Sequence, residues 1–155
     1  ISVVIITDRG VTHELVRHRI ASYTQESTRY CNYSDERFGA EIQVVLPVEF
    51  YDNVYYLHQL FTDWKYAMQA AETYYLNMIE NKAAPQLARA VLPNSLKTEI
   101  MMTCNIREWR HFFTLRCSSA AHPQMRALAL DMLRGFKEKI PLIFDDLYPG
   151  EKTNE

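Results

Sequence analysis

Between Asn53 and Glu80 the apolar residues Val54, Leu57, Phe61, Trp64, Met68, Ala71, Tyr75 and Met78 recur at steps of three and four. That spacing keeps one stripe of a helix apolar and predicts a single amphipathic helix about 40 Å long. Such a helix needs a surface to lie on, so its aromatic stripe is read as core or subunit contact. The rest of the chain has to supply a sheet or further helices to meet it.

Ser2 to Thr7 is β-branched and apolar and reads as a buried strand, ended by the turn signal Asp8-Arg9-Gly10. A helix should follow with Thr12 as N-cap, placing Arg19 on the same stripe as Leu15 and Val16. Ser22 to Tyr33 is polar and reads as a loop, and Glu41 to Leu46, stopped by Pro47, as a second strand. Gln86 to Val91 reads as a short helix and Thr98 to Thr103 as a third strand. Asn105 and Glu108 fit the spacing of a capping box, which predicts a helix from there to about Leu115. Pro123 suits the first turn of a last helix through Lys139, with a frayed polar tail after Pro149. Short strands between long helices, with few βαβ spacings, give an α+β single domain with a small, mostly antiparallel sheet.

Composition narrows the function. With 48% apolar and 23% charged residues and only four glycines, the chain is neither disordered nor collagen-like. No apolar run reaches ten residues, so no membrane partner is expected. The formal net charge of −2 argues against nucleic acid as a partner. Three cysteines, Cys31, Cys104 and Cys117, have neither CxxC nor zinc-type spacing and read as small apolar residues of a reducing, cytoplasmic protein.

Of the 17 basic residues 11 are arginines, and they cluster locally. Arg17-His18-Arg19 and the following Ser22–Tyr30 segment, with Arg29, face a single acid, Glu26. Guanidinium forks beside Ser and Thr hydroxyls are what a phosphate requires, while a solvated basic patch or ion pairs with Glu14, Asp35 and Glu36 would be the structural alternative. A second constellation runs from Asn105 to Arg116. There Arg107, Arg110 and His111 project to one face, Trp109, Phe112 and Phe113 to another, and Arg116 falls among the aromatics. A cation in that setting needs an anion to offset its desolvation, either an internal acid or a bound ligand. The phosphate-loop, dinucleotide, zinc-protease, serine-hydrolase and EF-hand patterns do not occur, and the five histidines form no ligand-spaced cluster, so no metal site is expected.

Read in order, these residues resemble the flavin-dependent thymidylate synthases, whose signature is Arg-His-Arg, seven residues, then Ser. Here the signature is Arg17-His18-Arg19, Ile20 to Glu26, then Ser27. The resemblance extends over Asp8 to Val16, Thr28-Arg-Tyr30, Ala88-Arg-Ala-Val-Leu-Pro93 and Asn105 to Arg126. It implies reductive methylation of dUMP to dTMP, with 5,10-methylenetetrahydrofolate as carbon donor, FAD as hydride carrier and NADPH as reductant. It also implies an obligate homo-oligomer, a homotetramer whose active sites are shared between subunits, and no cysteine attacking the base.

By residue, the resemblance assigns Glu14, Arg17, Gln25, Ser27, Thr28, Arg29, Arg89 and Arg116 to dUMP. Arg17, His18, Arg19, Gln25, Asn105, Arg107 and His111 fall to FAD. Arg116 is the implied catalytic residue, stabilising negative charge on the pyrimidine. Glu14 stands where some members have Gln, so beside a phosphate its carboxylate should take a sugar hydroxyl or pair with an arginine. His111 stands where others have Asn. The chain starts without the few dozen residues that in the family add His and Ser/Thr contacts to the flavin, so a domain lacking its amino-terminal segment is expected. A catalytically silent nucleotide-binding relative that keeps the arginine site is the alternative.

Overall fold

The β-branched start forms the strand expected of it, and the late strand becomes the centre of the sheet. A computed structural model describes residues 1–35, 39–53 and 57–147, with side chains for all of these but residues 52 and 53. Ser2–Asp8 is β1, Ser22–Gln25 is β2 and Lys97–Thr103 is β3. All pairing is antiparallel in the order β1-β3-β2, with Ile5 opposite Ile100 and Gln25 opposite Ile100 on the other edge. Side chains alternate across a strand. Ile5 and Thr7 therefore share the buried face with Thr98, Ile100 and Met102, while Val4, Ile6 and Met101 stay exposed.

Two strand expectations change. Ser22–Gln25 was expected to be loop, because polar residues occupy nearly every position; the strand forms because Tyr23 and Gln25 alternate inward beside Met102 and Ile100. Glu41–Leu46 was expected to be a strand and forms only the single bridge of Val44 to Leu96. Both edges of β3 from Ile100 to Thr103 are already taken by β1 and β2. The segment is left to bond the lead-in to β3, with the Val45 N–H donating to the Ser95 carbonyl and the Lys97 N–H to that of Gln43.

The helices are Arg9–Leu15 (α1), Glu49–Asn53 (α2), His58–Glu80 (α3), Pro85–Ala88 (α4), Ile106–Arg116 (α5), Pro123–Lys139 (α6) and Pro141–Phe144 (α7). Arg89–Val91 is a 3-10 turn continuing α4. The N-cap of α1 is Asp8, whose carboxylate accepts from the Val11 N–H at 2.7 Å; Thr12, expected to be the cap, sits inside the helix and donates to the Arg9 carbonyl. A Cβ on Gly10 would lie 3.0 Å from Asp8 Oδ1, so glycine leaves that cap room.

The long helix begins at His58, not Asn53, and its inward stripe is the expected one from Leu57 to Met78. Val54, Glu36 and the tail after Pro149 lie outside the described residues. Asn105 caps α5 by accepting from the Glu108 N–H at 2.8 Å, as the spacing required.

Two apolar clusters result. The larger joins the inner sheet face and Leu15 of α1 to Trp109, Phe112 and Phe113 of α5, Met125, Leu133 and Phe136 of α6, and Phe144 of α7. Its rings meet mostly edge to face, with Phe113 and Phe136 at 5.1 Å and Phe136 and Phe144 at 5.0 Å, the geometry the ring quadrupole favours. The smaller gathers Tyr33, Ile42, Tyr75, Ala88 and Leu96 beneath α3. Among the described residues no helix is long and apolar enough to cross a membrane.

Candidate active site

Helix α1 ends at Leu15, so the Arg-His-Arg motif lies in the turn beyond it and not on a helical stripe. This corrects the projection of Arg19: it is exposed, as is Arg17, and His18 is the residue that turns inward, at 7% exposure. The Tyr23 phenol holds the turn in place. Its O–H lies 2.8 Å from the Leu15 carbonyl and 2.9 Å from that of His18, one proton shared by two acceptors at the open end of the helix. Burial raises the Tyr23 pKa to about 12, so it remains a donor at neutral pH.

His18 meets α5. Its ring is edge-on to Phe112 at 5.0 Å and to His111 at 6.4 Å. Arg116 Nε donates to His18 Nε2 at 3.0 Å, and Arg116 Nη1 donates to Glu14 Oε2 at 3.0 Å. The anion that the sequence demanded for Arg116 is thus present within the chain as Glu14, and the pairing with an arginine expected of Glu14 is observed. One guanidinium nitrogen, Nη2, keeps no partner among the described residues. On the other side of the imidazole, Glu108 Oε1 lies 3.6 Å from Nδ1, an electrostatic contact beyond hydrogen-bond length.

Burial pushes the His18 pKa below its usual 6.5, and the Arg116 cation lowers it further. The Glu108 carboxylate opposes both, and His111 adds a small lowering. The folded chain therefore holds His18 neutral where the unfolded chain takes up a proton, so stability is full above pH 6.5 and falls as the pH drops below it. Denaturant titrations between pH 7.5 and pH 5 (about that range, where histidine titrates) should show that decline, and His18→Gln, which keeps an acceptor for Arg116, should flatten it.

The remaining site residues divide into two groups. Asn105, Arg107 and His111 are exposed on α5, where His111 meets His18, and Arg17 and Arg19 flank the same histidine in sequence. Arg17, Arg19 and Arg107 are exposed and have no carboxylate partner among the described residues, an arrangement common to an anion site and to a solvated basic patch; Glu36 lies outside the described residues. Arg110, expected on this face, is instead tied to α7 and its flank: it bonds both oxygens of Asp146 at 2.7 and 2.5 Å and the Ile143 carbonyl.

Ser27, Thr28 and Arg29 belong to the second group, in the loop after β2 that leads to Tyr33 and the smaller cluster. Ser27 Oγ accepts the Arg29 N–H at 3.4 Å, Thr28 is buried, and the Arg29 guanidinium lies over the Tyr30 ring at 5.4 Å. Arg89 is exposed at the start of the 3-10 turn, next to Ala88 of that same cluster. Among the described residues no hydrogen bond or ion pair links this second group to Arg116. Gln25 lies between strand and helix, donating from Nε2 to Thr12 Oγ1 at 3.0 Å and to Thr98 Oγ1 at 3.3 Å. The Thr12 proton is committed to the Arg9 carbonyl, so Thr12 can only accept, which sets the amide and leaves Gln25 Oε1 for a ligand.

A cavity of about 510 Å³ opens elsewhere, lined by Glu26, Glu41, Glu99 and Lys97 among others. Three carboxylates to one ammonium repel phosphate, and none of the expected site residues lines it. Among the described residues no three His, Cys, Asp or Glu side chains are grouped as metal ligands. Burial raises the pKa of Cys104 and Cys117 to about 11, so neither is a thiolate at neutral pH.

Sequence reasoning saw Glu108 only as a capping residue and did not single out Tyr23. Glu108 shares a helical stripe with Phe112 and Arg116, which was the available signal.

The profile of the family described as thymidylate synthase complementing protein matches residues 1–142. A flavin-dependent thymidylate synthase of Geobacter sulfurreducens is 40% identical over 142 residues, which are 92% of this chain and 58% of the relative. Proteins of the same name from Mycolicibacterium vanbaalenii and Pyrococcus furiosus are 39% and 36% identical, over 89% and 91% of this chain and 57% and 53% of their own lengths. The chain thus spans somewhat over half the length of the curated relatives it matches. A protein so covered belongs to the thymidylate synthase complementing protein family.

Proposed function

We propose that this chain, assembled as a homotetramer in the cytoplasm, converts dUMP to dTMP, taking the carbon from 5,10-methylenetetrahydrofolate, with FAD as cofactor and NADPH as reductant. The observation that carries the reading is Arg116. Its Nε is oriented by a neutral histidine, its charge is balanced by a carboxylate that a ligand can replace, and its Nη2 remains uncommitted. A guanidinium so held stabilises negative charge on a pyrimidine as carbon 5 becomes nucleophilic, and it does so more strongly where water is excluded.

The donor set fits FAD. Arg17, Arg19 and Arg107 present guanidinium groups that have no carboxylate partner among the described residues and suit its phosphates, and Asn105 and His111 add hydrogen-bonding groups on α5. When bound, the flavin supplies hydride chemistry; the chain binds and orients. Ser27, Thr28, Arg29 and Arg89 form the nucleotide phosphate and sugar group, with Gln25 Oε1 a fixed acceptor between the two sets. In the homotetramer a site completed by segments of different subunits would bring the Arg89 group and Arg116 to one nucleotide.

The test is direct. The protein supplied with FAD should show flavin absorbance and form dTMP from dUMP, methylenetetrahydrofolate and NADPH. Binding of dUMP with neither absorbance nor product would instead identify a silent nucleotide-binding relative. Arg89→Ala should weaken dUMP binding by roughly 10- to 100-fold, the loss of one or two charge-assisted hydrogen bonds. Its folding stability should stay within about 0.5 kcal/mol, since the side chain is exposed. Equal dUMP affinity in variant and parent, measured by calorimetry, removes Arg89 from the phosphate site.

A further inference from the structure

Glu108 is a buried carboxylate, 8% exposed, in the first turn of α5. In a capping box such a residue returns to the N-cap amide. Only half of that box forms here: Asn105 Oδ1 accepts the Glu108 N–H, while the Glu108 carboxylate is turned to the imidazole of His18. The helix N-terminus favours the charge, and His18 lies where the carboxylate can act on it.

One donor and one acceptor, at the two nitrogens of that ring, demand the same thing of it. Arg116 Nε can only donate, so His18 Nε2, 3.0 Å away, must be without a proton. An ionised carboxylate can only accept, so the nitrogen facing Glu108, Nδ1, is the one that holds the proton. The ring itself is fixed by Phe112 edge-on at 5.0 Å, and its backbone by the Tyr23 phenol on the His18 carbonyl.

We propose that Glu108 is a positioning residue for the reaction: by selecting the Nδ1–H tautomer of His18 it keeps Nε2 an acceptor and so sets the plane of the Arg116 guanidinium. This rests on the role given to Arg116 above. With the opposite tautomer, Nε2–H and Nε–H would point at one another and Arg116 would keep Glu14 alone. Glu14 meets the guanidinium through Nη1, on a side chain 35% exposed. A single half-exposed carboxylate attracts the charge but does not define the plane, whereas the pair of contacts through Nε and Nη1 does. Glu108 touches neither reacting atom; its effect passes through His18.

The experiment compares the parent protein with Glu108→Leu and Glu108→Gln, each loaded with FAD. The first readout is the nitrogen-15 spectrum of the His18 ring at neutral pH; the second is kcat and KM for dUMP. In the parent, the His18 proton should be on Nδ1. Glu108→Leu should populate the Nε2–H tautomer, shift the Arg116 Nε–H resonance and lower kcat by roughly 10- to 100-fold, as a misaimed reacting group does, with the KM for dUMP changed far less. Glu108→Gln keeps an oxygen of partial negative charge facing Nδ1–H and should restore the tautomer and most of kcat, which also covers the case in which the leucine variant does not fold. A parent His18 protonated on Nε2 overturns the proposal. So does a change of tautomer with no change in kcat, or a loss of kcat with the tautomer intact. If the parent forms no dTMP at all, the functional reading fails, and the nitrogen spectra separately decide whether Glu108 sets the ring.

Discussion

Arg116→Ala is expected to lower kcat/KM for dTMP formation by about 10²- to 10³-fold or more, the size of effect seen when an electrostatic stabiliser of the transition state is removed. The fold should survive. Arg116 is about one-fifth exposed and its Glu14 partner about one-third, so the pair contributes at most about 1 kcal/mol. The neutral His18 beside it loses a donor, and water can reach the space.

Arg110→Ala, on the same helix, is the contrasting case. Arg110 is spent on Asp146 and the Ile143 carbonyl, so its loss should loosen α7 and the residues after it while dUMP turnover per folded molecule stays unchanged. Paired kinetics and urea titrations of the two variants separate the roles. A destabilised Arg116→Ala with parental turnover would make Arg116 a structural ion pair and end the catalytic assignment.

Trp109→Ala should give the largest loss of stability in the chain, roughly 3–5 kcal/mol, as expected for deleting a fully buried indole. The ring stacks on Phe113 at 5.8 Å and lies 5.0 Å from Phe136 and 5.7 Å from Phe112, so three aromatic contacts end with it. Its Nε1–H also donates to the Ile1 carbonyl at 3.1 Å, a bond that joins α5 to the start of β1. A fall in Tm of about 10 °C is expected for a chain of this size. Trp109→Phe keeps a ring and loses only part of the packing and the N–H, so it should cost about 1–2 kcal/mol. Calorimetry checks both, and a parental Tm in the alanine variant would show that this cluster does not hold α5 to the sheet.

Much of the local structure could be read from residue order. The Ser2 strand, the Asn105 cap and the Pro123 start of α6 are signalled within a few residues of where they occur, since capping and β-branching are short-range effects. The errors share a cause in what lies far off along the chain. Ser22–Gln25 becomes a strand because β3 offers it an edge far along the chain, Ser22 pairing with Thr103 and Gln25 with Ile100, and Glu41–Leu46 fails to become one because that edge is then filled. Thr12 was a sound N-cap by type but lost to Asp8, whose backbone is held by the pairing of β1 with β3.

The site divides the same way. Residue types in order were enough to show a local cluster of arginines, a family signature and an inward-facing Arg116 that needed an anion, because charge and helical period are properties of the chain itself. Which anion it found, the inward turn of His18 in place of Arg19, and the carboxylate of Glu108 behind that histidine were decided only when α1 ended at Leu15 and the following turn was laid against α5. Contacts between residues about a hundred positions apart depend on where the sheet and the aromatic cluster bring two helices together, and no local pattern encodes that distance.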